Sequence, residues 1–217
     1  MKKDVLVIGL GTFGYALATK LYKAGHHVMA VDSDEQLVNR IKDEVTVSIS
    51  ADVTNSDVLE EIDPNKFDII ILGRSSNLEL AVLTLAQLKN MNVKYIIAKA
   101  NSFLQREILL KLGADEVVLA EDEMAKRIAN RITHPNVKEI FDFSKDISIM
   151  NVKVPKKLIG KTLRELDLRK KNNITVFMRK QGDQTEIVND PNIKFEADDE
   201  LFVAGDEANI LKVFDRN

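Results

Sequence analysis

The chain has 217 residues, 45% apolar and 30% charged, with a formal net charge of −3. That balance fits one or two folded domains rather than a disordered chain, and the negative charge argues against electrostatic nucleic-acid binding. With no cysteine and only three histidines, disulfides, thiolate nucleophiles and cysteine metal sites are excluded and little is left for a histidine metal centre.

The N-terminal Met1-Lys-Lys-Asp runs straight into a strand-like segment, which is not the form of a signal peptide. No apolar stretch approaches the ~18 residues of a membrane span. Residues 5–8 read as a buried strand. Phe13, Ala16, Leu17, Leu21 and Ala24 then recur at helical spacing, with Gly25 as a stop. Residues 28–31 form a second strand, and Ser33 or Asp34 caps a helix through residue 42. A third strand (45–49) leads to a short helix (54–62), with Thr54 and Asp57 at capping-box-like spacing. Strands at 67–72, 95–98 and 117–119 then alternate with helices at 77–90, 102–112 and 122–132.

Alternating β and α with nearly all-apolar strands predicts a Rossmann-like, doubly wound parallel sheet over residues 1–133. Pro135 disfavours helix at His134, and 134–143 reads as a connector. Residues 144–217 follow a different pattern: strands near 147–154, 174–179, 185–188 and 201–204, a short helix at 162–166, a turn at Gln181-Gly182-Asp183 and a closing helix at 206–214. This is a small α+β domain. It carries a run of cations (Lys156, Lys157, Lys161, Arg164, Arg169, Lys170, Lys171) with little aromatic interleaving, which reads as a solvated basic face rather than a nucleic-acid surface.

The sharpest motif is Gly9-Leu-Gly11-Thr12-Phe13-Gly14, a GxGxxG between a strand and a helix. Gly9 allows the tight turn, Gly11 lets a pyrophosphate approach the backbone, and Gly14 lets the helix pack on the sheet. Asp32 ends the second strand, where a carboxylate accepts ribose hydroxyls and repels a 2′-phosphate. Ser33 follows it. Asp52, next to Val53 after the third strand, reaches an adenine or caps the next helix. Gly73 and Arg74, in Gly73-Arg74-Ser75-Ser76-Asn77, put a cation at the switch-point edge, as a phosphate or ribose neighbour or as an exposed loop arginine. Lys99 ends the fifth strand and meets phosphate or pairs with Glu121 or Glu123. Glu121-Asp122-Glu123 is a divalent-ion candidate or simply an acidic helix start. Residues 78–88 are apolar nearly all round, more than one sheet face needs, which suggests a second subunit. None of the histidines, His26, His27 and His134, has a catalytic partner in the pattern. A dehydrogenase, the alternative reading of the glycine motif, has only Lys99 as an acid, and no helix-turn-helix supports a DNA-binding regulator.

Together, the glycine motif, Asp32, Ala51-Asp52-Val53-Thr54, Ala98-Lys99-Ala100 and Leu112-Gly113-Ala114-Asp115 with Glu121 resemble the RCK (TrkA-N) domain. Leu158-Ile-Gly160-Lys-Thr-Leu163-Arg-Glu-Leu166 and Asp198-Asp-Glu200-Leu-Phe-Val-Ala-Gly205 resemble its companion RCK-C (TrkA-C) domain. The resemblance implies a cytoplasmic regulatory subunit of a Ktr/Trk potassium uptake system, peripheral at the inner face of the cell membrane. It implies homodimers in an octameric ring below an integral-membrane K⁺-translocating subunit, gated by ATP and ADP or NADH and NAD. It places the pyrophosphate on Gly9–Gly14, the ribose on Asp32, the adenine near Asp52 and Val53, and Lys99 and Glu121 toward phosphates or a divalent cation. In some members cyclic di-AMP binds the C-domain, where Leu163, Asp167, Arg169 and Ile174 fall in the matching segment. Many relatives carry arginine where this chain has Thr12, so a phosphate contact made there has to come from elsewhere, with Arg74 the candidate.

Overall fold

The computed structural model describes residues 1–74, 77–144 and 146–215. Ser75 and Ser76, part of the loop singled out above, lie outside the described residues. The chain divides into two compact units, Met1–Glu123 and Met124–Asn217.

The first unit alternates β1 (Asp4–Ile8), α1 (Thr12–Lys23), β2 (His27–Asp32), α2 (Glu35–Ile41), β3 (Val47–Ser50), α3 (Ser56–Ile62), β4 (Ile69–Leu72), α4 (Leu78–Asn90), β5 (Ile96–Lys99), α5 (Phe103–Lys111) and β6 (Glu116–Val118). Its strands pair in parallel in the order β3-β2-β1-β4-β5-β6. The order reverses between β1 and β4, so their carboxyl ends open the crevice where ligands bind in such sheets. The apolar strands are buried because helices cover both faces. One core joins Leu6, Ile70 and Ile96 to Leu85 and Leu88 of α4, and another joins Val5, Val7 and Ala30 to Ala18 and Ile41.

Helix α6 (Ala120–Thr133) crosses the division between the units. The second unit continues with β7 (Val137–Asp142), β8 (Ser148–Lys153), α7 (Leu163–Leu166), α8 (Leu168–Asn172), β9 (Thr175–Gln181), β10 (Gln184–Ile187), β11 (Glu200–Gly205) and α9 (Glu207–Phe214). Its sheet runs β10-β9-β11-β8-β7, antiparallel throughout. Phe195, Phe214, Leu201 and Met150 fill the core beneath it.

Two local expectations change. The segment 134–143 contains an edge strand, β7, paired with β8 and broken by a register shift between Val137 and Glu139. Its half-exposed, charge-interrupted sequence has no alternation, so only the long-range pairing reveals it. The short helix after β3 starts at Ser56, and Asn55 caps it by accepting from the Asp57 N–H at 3.0 Å. Thr54 is not the cap, because its hydroxyl donates to Asp52 at 2.8 Å. Other predicted ends hold closely: Asp34 caps α2 through the Gln36 N–H, and Thr162 forms a full capping box with Glu165.

Candidate nucleotide site

The glycine turn is closed by backbone contact. Gly9 has φ +92°, and a Cβ on Gly14 would lie 1.9 Å from the Gly9 carbonyl oxygen. A Cβ on Gly73 would lie 2.8 Å from that same oxygen and 3.0 Å from the Gly14 Cα. The turn after β1, the start of α1 and the end of β4 therefore touch main chain to main chain. Gly11 differs, since a Cβ there meets nothing within 4 Å. It is the N-cap of α1 and supplies no side-chain acceptor, and no acid sits in the first turn. The free N–H groups of that turn and the positive end of the helix dipole make this an anion seat.

Asp32 is buried, yet its carboxylate is well served. One oxygen accepts the Leu10 N–H at 2.6 Å and the other the Asp34 N–H at 2.9 Å. The second bond also fixes the entry to α2. An ionised carboxyl has about four acceptor positions, so capacity remains for ribose hydroxyls. Arg74, half-exposed, reaches across from the end of β4. Its guanidinium is 3.7 Å from Asp32 and 3.4 Å from the Ser33 hydroxyl.

Asp52 does not cap a helix. Its carboxylate accepts both the N–H and the hydroxyl of Thr54, and those bonds hold it below the usual carboxylate range. Gln87 of α4 donates to the Thr54 carbonyl at 3.0 Å, pinning this loop. Lys99, with its side chain nearly buried, pairs with Glu121 at 2.5 Å. That bond lowers the Glu121 pKa. The Lys99 ammonium also stands 5.9 Å from the centre of the Phe13 ring. Among the described residues no group of three His, Cys, Asp or Glu is arranged to hold a metal ion.

These side chains line two clefts that share Asp32 and Arg74. One is mainly apolar, between Val31, Val53, Leu80 and Ala81, with Asp52 and Thr84 as polar members. The other is lined by Gly11, Thr12, Phe13, Gly73, Lys99 and Glu121. The first suits a nucleoside and the second its phosphates. Every site residue expected from the sequence lines one of the two, apart from Gly14, which sets the packing beneath them. The expectation missed the α4 wall of Leu80, Ala81 and Thr84. Its signal is the small pair Ala81 and Thr84 at i, i+3, hidden in a helix whose apolar excess reads as a contact stripe. That stripe is in part exposed: Ala81, Leu85 and Leu88 are buried, whereas Leu83 and Ala86 face outward. The cyclic di-AMP set is mixed, with Arg169 exposed and Ile174 buried in the second core.

A parallel sheet with a switch-point crevice, an uncapped helix start and an acidic strand end define a doubly wound, Rossmann-like class of protein. The TrkA-N domain matches residues 5–120 and the TrkA-C domain residues 147–216, and the chain belongs to this RCK (TrkA-N/TrkA-C) family. It is 34% identical over 200 residues to the Ktr system potassium uptake protein C of Bacillus subtilis, covering 89% of this chain and 90% of that protein. It is 30% identical over 213 residues to the Ktr system potassium uptake protein A of Vibrio alginolyticus, covering 97% of each. Among solved structures, a GsuK channel chain superposes with a TM-score of 0.71 at 16% identity, covering all of this chain and 40% of that one. The same channel bound to NAD gives 0.64 at 15% identity, covering 98% and 39%. These structural matches show the shared fold. Among the described residues no helix is long and apolar enough to cross a membrane.

Proposed function

We propose that this chain is the nucleotide-binding regulatory subunit of a potassium uptake system, with no catalytic step of its own. The observation that carries the reading is the pair of adjoining clefts meeting at Asp32 and Arg74, in a chain whose relatives are Ktr potassium uptake proteins. The apolar cleft takes the adenosine of ATP, ADP or NAD(H), with the ribose at Asp32 and Ser33 and the adenine near Asp52 and Val53. The phosphates lie on Gly9, Gly11, Thr12, Phe13 and Gly14, within reach of Gly73, Arg74 and Lys99. With threonine at position 12, Arg74 supplies the mobile cation for the terminal phosphate. Lys99, the one candidate acid for a dehydrogenase, is committed to Glu121.

The regulatory reading extends to assembly. Residues 1–133 bind nucleotide and 144–217 form the companion domain. Homodimers build an octameric ring on the cytoplasmic face of an integral-membrane K⁺-translocating partner, and ligands that bind two forms of the dimer unequally shift its population. The exposed apolar residues Met124, Ile128 and Ile132, spaced by four on α6, support a second copy as their cover. A divalent cation at Glu121 would draw its remaining ligands from nucleotide phosphates or that second copy. Cyclic di-AMP at the companion domain would rest on Leu163, Asp167 and Arg169, since Ile174 is buried.

Calorimetric titration of the purified chain with ATP, ADP, NAD, NADH and cyclic di-AMP, with light scattering for mass, tests the proposal. Saturable adenine-nucleotide binding to an even-numbered oligomer, without turnover, is the expected result. Binding by none of them would overturn it.

A further inference from the structure

The antiparallel sheet of the second unit is apolar on both faces. Met150, Val152, Leu201 and Val203 point into the core, where they meet residues of α7, α8 and α9. Side chains alternate along a strand, so the residues between them point the other way, to the face that in such a sheet is commonly polar and solvated. Phe141, Ile149 and Ala204 stand side by side on that outer face, and so do Phe202, Met178 and Ile187. The Phe177 ring lies 6.4 Å from the ring of Phe202. The core beneath the sheet includes none of these residues, and Phe141 and Ile187 are exposed. A contiguous apolar face of this kind marks a contact surface.

The same unit carries a second uncovered apolar surface, the α6 stripe of Met124, Ile128 and Ile132. Within one chain the two surfaces do not meet. Lys126 and Arg127 hold α6 to β7 through Asp142 and Glu139, and on a helical wheel they lie on average about 150° around from the stripe. The stripe therefore points away from the sheet edge that its own helix follows. We infer that each stripe packs on the outer sheet face of a second copy, an isologous contact in which helix meets sheet twice. Charge and length both fit. The outer face ends in Lys153, Glu200 and Lys180, neighbours on β8, β11 and β9, with Lys138 paired to the Glu200 carboxylate. That end is net positive, and α6 begins with the exposed acids Asp122 and Glu123. Glu123 and Ile132 are about 14 Å apart along the helix, and Lys153 and Ile149 are about 14 Å apart along their strand. With the acids over the lysines, Ile128 lies over Phe202 and Ile132 reaches Phe141. The inference rests on the reading of this chain as an assembling subunit and names the surface that receives the stripe.

The chain has no cysteine, so an introduced one reports a single contact. Ile132 and Phe141 are both exposed, and a substitution at either leaves the core untouched. Full-length Ile132→Cys and Phe141→Cys, each alone and the two co-expressed, are treated with a short bis-maleimide and run on a denaturing gel. Light scattering gives the mass of the untreated wild type. The co-expressed pair should yield a band at twice the chain mass, and neither variant alone should do so, because the stripe of one copy faces the sheet of the other. A doubled band from Ile132→Cys alone pairs helix with helix, and one from Phe141→Cys alone pairs sheet with sheet; either overturns the inference. No doubled band from the co-expressed pair, in a protein whose wild type is an oligomer, also overturns it and leaves the subunit reading intact. A monomeric wild type removes that reading itself.

Discussion

At Gly11 and Gly14 the same residue type does two different jobs. Gly14 is needed by the fold, since an alanine methyl there would overlap the Gly9 carbonyl. Gly11 has open space where its methyl would go, and its φ of −60° suits any residue. Gly11→Ala therefore leaves the melting point within about 1 °C of wild type, as for a surface substitution without strain. If the pyrophosphate lies against it, the same variant loses more than about tenfold in ADP affinity, since a misplaced phosphate forfeits charge-assisted bonds. Paired thermal melts and titrations check this, and wild-type affinity in Gly11→Ala would move the pyrophosphate off the loop. The two carboxylates at the strand ends divide similarly. Asp32 is locked by two main-chain N–H groups, and Asp52 is folded onto its own loop.

Among the elements, the parallel strands were legible because most are apolar runs that helices must cover on both faces. The helix starts at Asp34, Asn77, Ser102, Thr162 and Asp206 were legible because a short polar side chain precedes each apolar periodicity, and each of these residues is the cap. What stayed hidden depends on distant chain: β7 is defined by its partner β8, and the α4 wall of the cleft only by where that helix lands on the sheet. Thr54 looked like a cap because its spacing to Asp57 is right, but Asp52, two residues back, takes its hydroxyl. Thr162→Ala removes the side-chain half of a capping box, while its backbone N–H still donates to Glu165, and lowers the stability of the second unit by about 1 kcal/mol. A denaturant titration followed by a probe in that unit measures it. Glu200 of β11 offers a pH test. Lys138 at 2.5 Å, with Asn151, holds its pKa below the ordinary value of 4.5. The bound carboxylate thus stabilises the fold above that pH, and the benefit fades as the pH falls through the lowered value. The stability gap between wild type and Glu200→Gln should be largest near neutrality and shrink as the pH falls below the ordinary carboxylate range. A gap independent of pH would remove the ion pair as its source.

For the whole molecule, the question is what covers α6. None of its residues is buried, and its apolar side chains stand at Met124, Ile128 and Ile132 above an acidic first turn. Lys126 and Arg127 hold the same helix to β7 through Asp142 and Glu139, so its fold does not depend on that stripe. Ile128→Glu should keep nucleotide binding within about twofold while lowering the mass seen by light scattering, because a charge in an apolar contact is costly to desolvate. Unchanged mass would place the subunit contact elsewhere, with the exposed Leu83 and Ala86 of α4 next in line. The glycine turn carries a consequence for genetics. Gly14 is hemmed in by main-chain atoms of Gly9, and Gly73 by those of Gly9 and Gly14, and the backbone offers nothing that a second substitution can trim. Variants at either position should yield only true revertants in a selection for restored function, whereas positions bounded by flexible side chains can acquire suppressors.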